Sequence, residues 1–258
     1  MPTSYPPYPP GFGQRDVISR GTTGLIVLDA QTQTIIRWPE NDRDWQGIQH
    51  ERQVYEQLDA LGGHEGLLGC YGCEDTYGLR LEYTAYRDLQ SHIRYKGINQ
   101  PLELQWMIQV ARVLEFIHRH GVIHGSVALR HVMLDAEGNA ALGDFAWCSM
   151  RGSGHLAAKS AASHEYPGDR LTVQGDLFAF GSAMYELVTG MEPFVTLRDE
   201  DIRARFRRGV FPDVAALGAL GAIISKCWTT AYENTKDVVD ALEGKDGLVT
   251  RPQRAHTC

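Results

Sequence analysis

The side chains best able to do chemistry lie in two short segments near the middle of the chain. Residues 124–131 read HGSVALRH, and residues 142–146 read LGDFA. Asp144 offers a carboxylate, the kind of hard oxygen ligand that Mg²⁺ prefers. Ser126 offers a hydroxyl, which is not a base near neutral pH, and the His131 imidazole suits softer metals than Mg²⁺. The chemistry indicated is that of a carboxylate-held metal ion beside a loop whose central residue cannot accept a proton.

The elements that must position these segments change character along the chain. Short apolar or β-branched runs predict strands at 17–19, 25–28, 34–37, 67–74 and 79–83. Apolar residues at helical spacing predict helices over 45–61, 104–118, 177–189, 199–209, 214–228 and 235–243. A strand-rich front and a helix-rich back predict an α+β fold of two unequal lobes. We place these lobes at 16–83 and 84–244, with a hinge near 82–85.

Composition excludes several classes of function. The 258 residues are 43% hydrophobic and 22% charged, which is ordinary for a chain with a full core. Because the formal net charge is −7, the arginines between 203 and 208 lie in an acidic chain, and we expect no nucleic-acid partner. No apolar run of about 18 residues and no signal-peptide layout occurs, so we expect no membrane span. The expected location is cytoplasmic, with the nucleus as an alternative.

The cysteines and histidines permit a metal site that the rest of the sequence does not require. Five cysteines are an odd number in a chain too long to need disulfide bonds, which favours reduced thiols. Cys70-x-x-Cys73 is compatible with a zinc or redox site, but no second pair stands at ligand spacing, so we favour core and turn cysteines. Four histidines invite a metal cluster too, although each has a place in the pattern described next: His118, His120, His124 and His131.

Both ends of the chain have tail-like composition. Residues 1–15 are rich in Pro, Tyr and Gly, so we predict a disordered or extended tail, with a ligand for a proline-binding domain as the alternative. Residues 245–258 are polar and aperiodic, and we predict a second flexible tail.

The order of motifs between residues 16 and 243 resembles that of the protein kinases. The segment 124–131 matches their catalytic loop, 142–146 matches their metal-binding Asp-Phe-Gly, and 176–182 (DLFAFGS) matches the buried helix start whose Asp ties down that loop. The His-Gly start of the loop is typical of compact, short-loop kinases common in fungi. The resemblance implies a bilobal kinase-like fold, with a small antiparallel sheet and one helix in the N-lobe and a mainly helical C-lobe.

The resemblance also implies where ATP and Mg²⁺ would bind. The turn containing Gly21 and Gly24 corresponds to the loop over the phosphates, although a tight hairpin needs the same residues. Arg37 stands at the position of the phosphate-binding lysine, and Glu51 at that of its helix partner, although Glu51 alone could equally be a solvated residue. The remaining positions implied for the nucleotide are Ile26, Ile35, Glu82, Tyr83, Met133 and Asp144. Mg²⁺ would bind through Asp144.

Three departures from the family pattern affect chemistry. Ser126 replaces the catalytic Asp, whose loss as a positioned base costs on the order of 10²- to 10⁴-fold in rate. His131 replaces the metal-binding Asn and is a doubtful metal ligand, and Arg37 replaces the Lys. Ala146 replaces the third residue of Asp-Phe-Gly, and Gly125 the Arg that would grip a phosphorylated activation loop. The resemblance thus implies a pseudokinase.

This pseudokinase would bind ATP weakly or not at all and act on a protein partner, an active kinase or its substrate. The alternative is a divergent active Ser/Thr kinase in which another group replaces the base. A third class is transfer of a different part of ATP, for which Asp144 would still be required.

Overall fold

A five-stranded antiparallel sheet forms the first lobe. The computed structural model describes residues 5–21, 23–84, 88–97, 100–150 and 161–244. The strands are β1 Val17–Gly21, β2 Gly24–Asp29, β3 Thr34–Trp38, β4 Cys70–Glu74 and β5 Gly78–Glu82, in the order β1-β2-β3-β5-β4. Burial alternates along β2, as expected of a half-buried strand. The predicted strands are confirmed, except that β4 begins at Cys70, three residues later than predicted.

Helix α1, Asp42–Ala60, lies between β3 and β4 and packs on the sheet. It begins three residues before the predicted start because Asn41 caps it: the side-chain oxygen of Asn41 accepts a hydrogen bond from the Asp44 N–H at 3.0 Å. Its inward face is fully buried through Ile48, Val54 and Leu58. The helix therefore carries Glu51 toward the boundary between the two lobes.

The second lobe is mainly helical, which confirms the predicted α+β class. Its helices are α2 Leu89–Lys96, α3 Gln100–Arg119, α4 Val173–Thr189, α5 Asp199–Arg207, α6 Gly218–Trp228 and α7 Thr235–Leu242. Four short strands form two small antiparallel pairs: β6 Val122–Ile123 with β9 Ser149–Met150, and β7 Val132–Leu134 with β8 Ala140–Leu142. The sequence analysis did not predict α2 or these pairs, because they are too short to show a period.

The N-terminal segment, for which the sequence predicts a disordered or extended tail, is packed on the first lobe. From Tyr5 onward it lies against the sheet: the Trp38 indole N–H donates to the Pro6 carbonyl at 2.7 Å, and the Tyr5 hydroxyl donates to Asp42 Oδ1 at 2.8 Å. The rings of Tyr8 and Phe12 pack on a second small core of Leu25, Val27, Ile36 and Trp38. Aromatic burial explains this placement. Residues 1–4 and the predicted tail at 245–258 lie outside the described residues, as does Ala85 of the predicted hinge.

A buried titratable pair in the second lobe predicts pH-dependent stability. Nε2 of His164 lies 3.7 Å from Oε2 of Glu186, and burial lowers the pKa of His164 to about 3. The unfolded chain protonates this histidine below about pH 6.5 and the folded chain does not, so its contribution to stability is lost as pH falls. Burial raises the pKa of Glu186, whose own contribution is lost as pH rises instead.

We therefore expect His164→Gln to flatten the fall in unfolding free energy between pH 6.5 and 4.5 by about 2 kcal/mol. Urea titrations of both proteins across that range measure the difference. His92→Gln is the control, because that ring is only half-buried. Equal slopes for the wild-type chain and His164→Gln would contradict the prediction.

Candidate active site

Four ionisable side chains from separate parts of the chain meet between the lobes. Arg37 Nη1 lies 2.6 Å from Asp144 Oδ1 and 3.2 Å from Glu51 Oε2. The second oxygen of Asp144, Oδ2, lies 3.0 Å from His131 Nε2. The other ring nitrogen of His131 contacts the Ser126 carbonyl oxygen at 2.7 Å. The side chains thus form one connected cluster. They come from four parts of the chain: strand β3, helix α1, the loop before β7 and the position two residues after β8.

The cluster is buried, and its charges compensate one another. Burial raises the pKa of Glu51 to about 7, against the opposing charge of Arg37. Burial also disfavours the charged form of Asp144, yet the adjacent Arg37 guanidinium holds the pKa of that carboxyl well below its usual range. Burial lowers the pKa of His131 to about 4, opposed by Asp144. Arg37 Nη1 thus balances both carboxylates and lies closer to Asp144, at 2.6 Å, than to Glu51, at 3.2 Å.

Backbone hydrogen bonds hold the loop 124–131 in place. The backbone N–H groups of His124 and Gly125 each donate to the Asp176 carboxylate at 2.7 Å, and His118 Nε2 lies 2.8 Å from it. Asp176, in the first turn of α4, therefore anchors the loop as the resemblance predicts. Gly125 has φ +71°, and a Cβ there would lie 2.8 Å from Leu171 Cδ2. This positive φ favours glycine at position 125.

Ser126 occupies the centre of this loop and is nearly buried, with 6% of its surface exposed. Its Oγ lies 3.5 Å from His131 Nδ1, at the outer limit for a hydrogen bond. Within the described parts of the chain, no acidic side chain is hydrogen-bonded to this hydroxyl.

Aromatic contacts join the two lobes behind the cluster. The Phe145 ring makes edge-to-face contacts with Tyr55 of α1 at 5.3 Å and with His124 at 5.1 Å, measured between ring centroids. His124 Nε2 also lies 3.0 Å from the Gly143 carbonyl oxygen. These contacts pack Phe145 between helix α1 and the loop 124–131. The Phe145 N–H donates to Glu51 Oε1 at 3.1 Å, so the segment after Asp144 is also tied to α1.

Thr23, just before β2, lies against Arg37. Arg37 Nη1 donates to Thr23 Oγ1 at 3.0 Å, and Thr23 is only 5% exposed. A Cβ on Gly24, whose φ is +100°, would lie 2.2 Å from the Trp38 carbonyl oxygen. Close packing against β3 therefore already requires glycine at position 24. Gly21 pairs with Gly24 across the hairpin, as in any tight turn.

The positions predicted to hold the base of a nucleotide lie in β2, β3 and β7 and at the end of β5. Ile26 pairs with Arg37, and Ile35 pairs with Leu81, which is fully buried. Met133 is half-buried in β7. The backbone N–H groups of Glu82 and Tyr83 already donate to the carbonyls of Gly69 at 2.8 Å and Gln33 at 3.3 Å. The backbone N–H groups at two positions that the resemblance implies for the nucleotide are therefore hydrogen-bonded within the protein.

The donor set does not fit Mg²⁺ as it is arranged. Mg²⁺ binds carboxylate oxygen at about 2.1 Å and demands octahedral geometry. An ion on Asp144 Oδ1 would lie against Arg37 Nη1, and an ion on Oδ2 would displace His131 Nε2. His131 presents nitrogen rather than oxygen, with both ring nitrogens engaged. Among the described residues, no group of three or more His, Cys, Asp or Glu side chains could hold a metal ion.

Sequence reasoning did not identify two parts of this site. Thr23 was not singled out, since its contact with Arg37 depends on how the β1–β2 turn folds. His131 was considered as a metal ligand rather than as a direct partner of Asp144. Both contacts join residues at least 13 positions apart, so no local pattern reports them.

Comparison with known proteins places the site in a family. The sequence model described as "Protein tyrosine and serine/threonine kinase" matches residues 28–240. Protein kinase C zeta type of Oryctolagus cuniculus is 27% identical over 168 residues, which cover 62% of this chain and 28% of that protein. The "Probable inactive leucine-rich repeat receptor kinase XIAO" of Oryza sativa subsp. japonica is 26% identical over 252 residues, covering 81% and 21%. The chain spans less than a third of the length of these relatives. In the described part of the chain, no helix is both long enough and apolar enough to cross a bilayer.

Proposed function

We propose, for a chain that belongs to the protein tyrosine and serine/threonine kinase family, that it is a pseudokinase. In this proposal it transfers no phosphate from ATP and acts by binding a protein partner, either an active kinase or that kinase's substrate. The single observation that carries the proposal is the nearly buried Ser126 hydroxyl at the position of the base, with His131 rather than a carboxylate as its side-chain neighbour. A hydroxyl cannot take the proton from an incoming alcohol near neutral pH.

The cleft supports the same proposal. In active kinases the Lys pairs with phosphates, and the Asp and Asn hold Mg²⁺ on them. Here Arg37 is bound to Asp144 and Thr23, while Asp144 is also bound to His131. The groups that would receive a nucleotide and its metal ion are thus bound to one another. The His-Gly start of the loop is compatible with a compact fungal type of kinase domain.

Phosphate transfer from labelled ATP tests this proposal. The wild-type chain is incubated with Mg²⁺ or Mn²⁺ and mixed protein acceptors, beside the Asp144→Ala variant. We expect the two proteins to incorporate the same background label. Metal-dependent incorporation by the wild-type chain that disappears in Asp144→Ala would defeat the proposal, because it would require a working site.

Nucleotide binding is a separate prediction. We expect 1 mM ATP, with or without Mg²⁺, to raise the unfolding midpoint by less than about 1 °C, because a Kd of 1 mM or weaker adds at most about 0.4 kcal/mol at that concentration. Thermal-shift titration measures this, with AMP as the control for binding through the base alone. A shift of many degrees would mean that the cleft opens to accept ATP.

One observation favours a second candidate, a divergent active Ser/Thr kinase. Arg37 Nε is buried and has no hydrogen-bond partner among the described residues. A buried donor of this kind is costly unless it is satisfied, and a phosphate oxygen would satisfy it. This candidate predicts both label transfer and a large ATP-dependent shift, so the two experiments above separate it from the pseudokinase.

The proposed location is inside the cell. Four of the five cysteines lie in the described residues, and all four are free thiols: Cys70, Cys73, Cys148 and Cys227. Free thiols are usual in reducing compartments.

A further inference from the structure

We propose that the Arg37 guanidinium is a built-in cation that takes the place of the divalent metal ion and, with Asp144, fastens the two lobes together. Arg37 comes from β3 in the first lobe, and Asp144 follows β8 in the second. Their contact, at 2.6 Å, joins residues 107 positions apart. The inference goes beyond the proposed function, since a chain can lack a catalytic base and still bind a metal ion.

Both oxygens of the Asp144 carboxylate already have a partner within the protein. Asp144 Oδ1 is bound by Arg37, and Oδ2 by His131. A divalent ion on Oδ1 would share that oxygen with a guanidinium nitrogen only 2.6 Å away, so two positive charges would be forced together. His131 cannot turn to help, because its other nitrogen contacts the Ser126 carbonyl at 2.7 Å. The site therefore excludes the divalent metal ion that kinases bind at this position.

The four side chains of the cluster are buried or nearly buried. The side chain of Glu51 is fully buried, and those of Arg37, Asp144 and His131 are only 10–14% exposed. Two carboxylates in such a place need a nearby positive charge, since an unpaired buried charge is strongly destabilising. Arg37 is the side chain that contacts both of them. In active kinases a bound metal ion neutralises one of these carboxylates, whereas here the protein provides the charge permanently.

Helix α1 is attached to the second lobe by several side-chain contacts. Glu51 lies within 3.2 Å of Arg37 and also accepts the Phe145 N–H, so α1 is held against the segment that follows Asp144. His50 and Arg43 reinforce this contact, through the Cys148 carbonyl at 2.9 Å and the face of Trp147 at 4.8 Å. Helix α1 thus has a ligand-independent attachment to the second lobe. We infer that the cleft is held closed without nucleotide or metal.

The deciding experiment is a Mn²⁺ titration without nucleotide, followed by thermal unfolding and by the electron paramagnetic resonance of free Mn²⁺. The wild-type chain is compared with Arg37→Lys/His131→Asn, which supplies an amide oxygen and a compact ammonium. We expect no shift for the wild-type chain. For the double variant we expect the unfolding midpoint to rise by about 2–4 °C when the Mn²⁺ concentration is ten times its Kd. We also expect the free Mn²⁺ signal to be lost. Arg37→Lys alone, which removes the guanidinium from Asp144 Oδ1, is expected to respond in the same direction, and it serves if the double variant fails to fold.

Arg80→Ala is the control for the claim that Arg37 and Asp144 hold the two lobes together. Arg80 also binds two carboxylates, Asp29 at 2.8 Å and Glu74 at 2.7 Å, but within the first lobe only. We expect Arg37→Ala to lower the unfolding midpoint by roughly 6–20 °C and Arg80→Ala by clearly less. The proposal is overturned if the wild-type chain binds Mn²⁺ through Asp144, or if Arg37→Ala is no more damaging than Arg80→Ala. Because no ATP is present, either result is independent of whether the chain transfers phosphate.

Discussion

Combining Ser126→Asp with Arg37→Lys and His131→Asn is expected to raise phosphate transfer from labelled ATP at least about 100-fold over the wild-type chain. The Asp supplies a proton acceptor, the Asn supplies an oxygen ligand for Mg²⁺, and the shorter ammonium releases Asp144. The backbone needs no rebuilding, since Asp176 already anchors the loop and Glu51 already lies beside position 37. Initial rates of self-labelling measure the gain without a known substrate.

The matched control is the same triple variant with Asp144→Ala added, which must lose the gain. Ser126→Asp alone should gain little, because Arg37 and His131 would still cover Asp144. A triple variant that is folded but no faster than the wild-type chain would mean that these three positions do not silence the chain. Thr23 would then be the next position to test as a cause of the lost activity, since it lies beside Arg37.

Asp176→Ala is expected to lower the free energy of unfolding by about 3–5 kcal/mol, or to prevent folding. The Asp176 carboxylate is 1% exposed and accepts the backbone N–H groups of His124 and Gly125 as well as contacting His118 Nε2. Removing it leaves the buried His124 N–H, the part-buried Gly125 N–H and His118 Nε2 without this acceptor, and each unsatisfied buried group costs about 1–3 kcal/mol. Urea unfolding followed by circular dichroism measures the loss.

Asp199→Ala is the surface control for this experiment. Asp199 is 73% exposed and only 3.6 Å from Arg203, so we expect a change of less than about 1 kcal/mol. Asp176→Asn keeps the shape and one acceptor, and it should fall between the two. If Asp176→Ala is as stable as Asp199→Ala, then the loop 124–131 does not depend on this anchor.

Much of the fold was predictable because its signals are local. Strands β2 and β3 have apolar and β-branched runs between turn residues, and α3 and α4 repeat apolar residues at helical spacing, so all four were identified within a few residues. Helix α1 began early because a single side chain, Asn41, caps it. Helix α2 was missed since eight residues carry too little periodicity.

The N-terminal segment illustrates what local signals leave out. Proline and glycine do disfavour regular elements there, and the sequence analysis therefore predicted a tail. The sheet nevertheless offers an apolar outer face and the Trp38 indole N–H as binding partners. Whether a segment without secondary structure is free or packed depends on such distant partners, which composition does not reveal.

Local motifs were enough to reveal the kinase-like order of parts and the chemical identity of the departures, because each is a residue type at a fixed position. How the departures act together depends on contacts that form only when the chain folds. Arg37, Glu51, Asp144 and His131 are separated by up to 107 positions, and their binding to one another depends on the lobes closing around them. Distances of a few ångströms between these buried side chains determine which of them carry a charge. The cluster therefore becomes visible only in the folded chain.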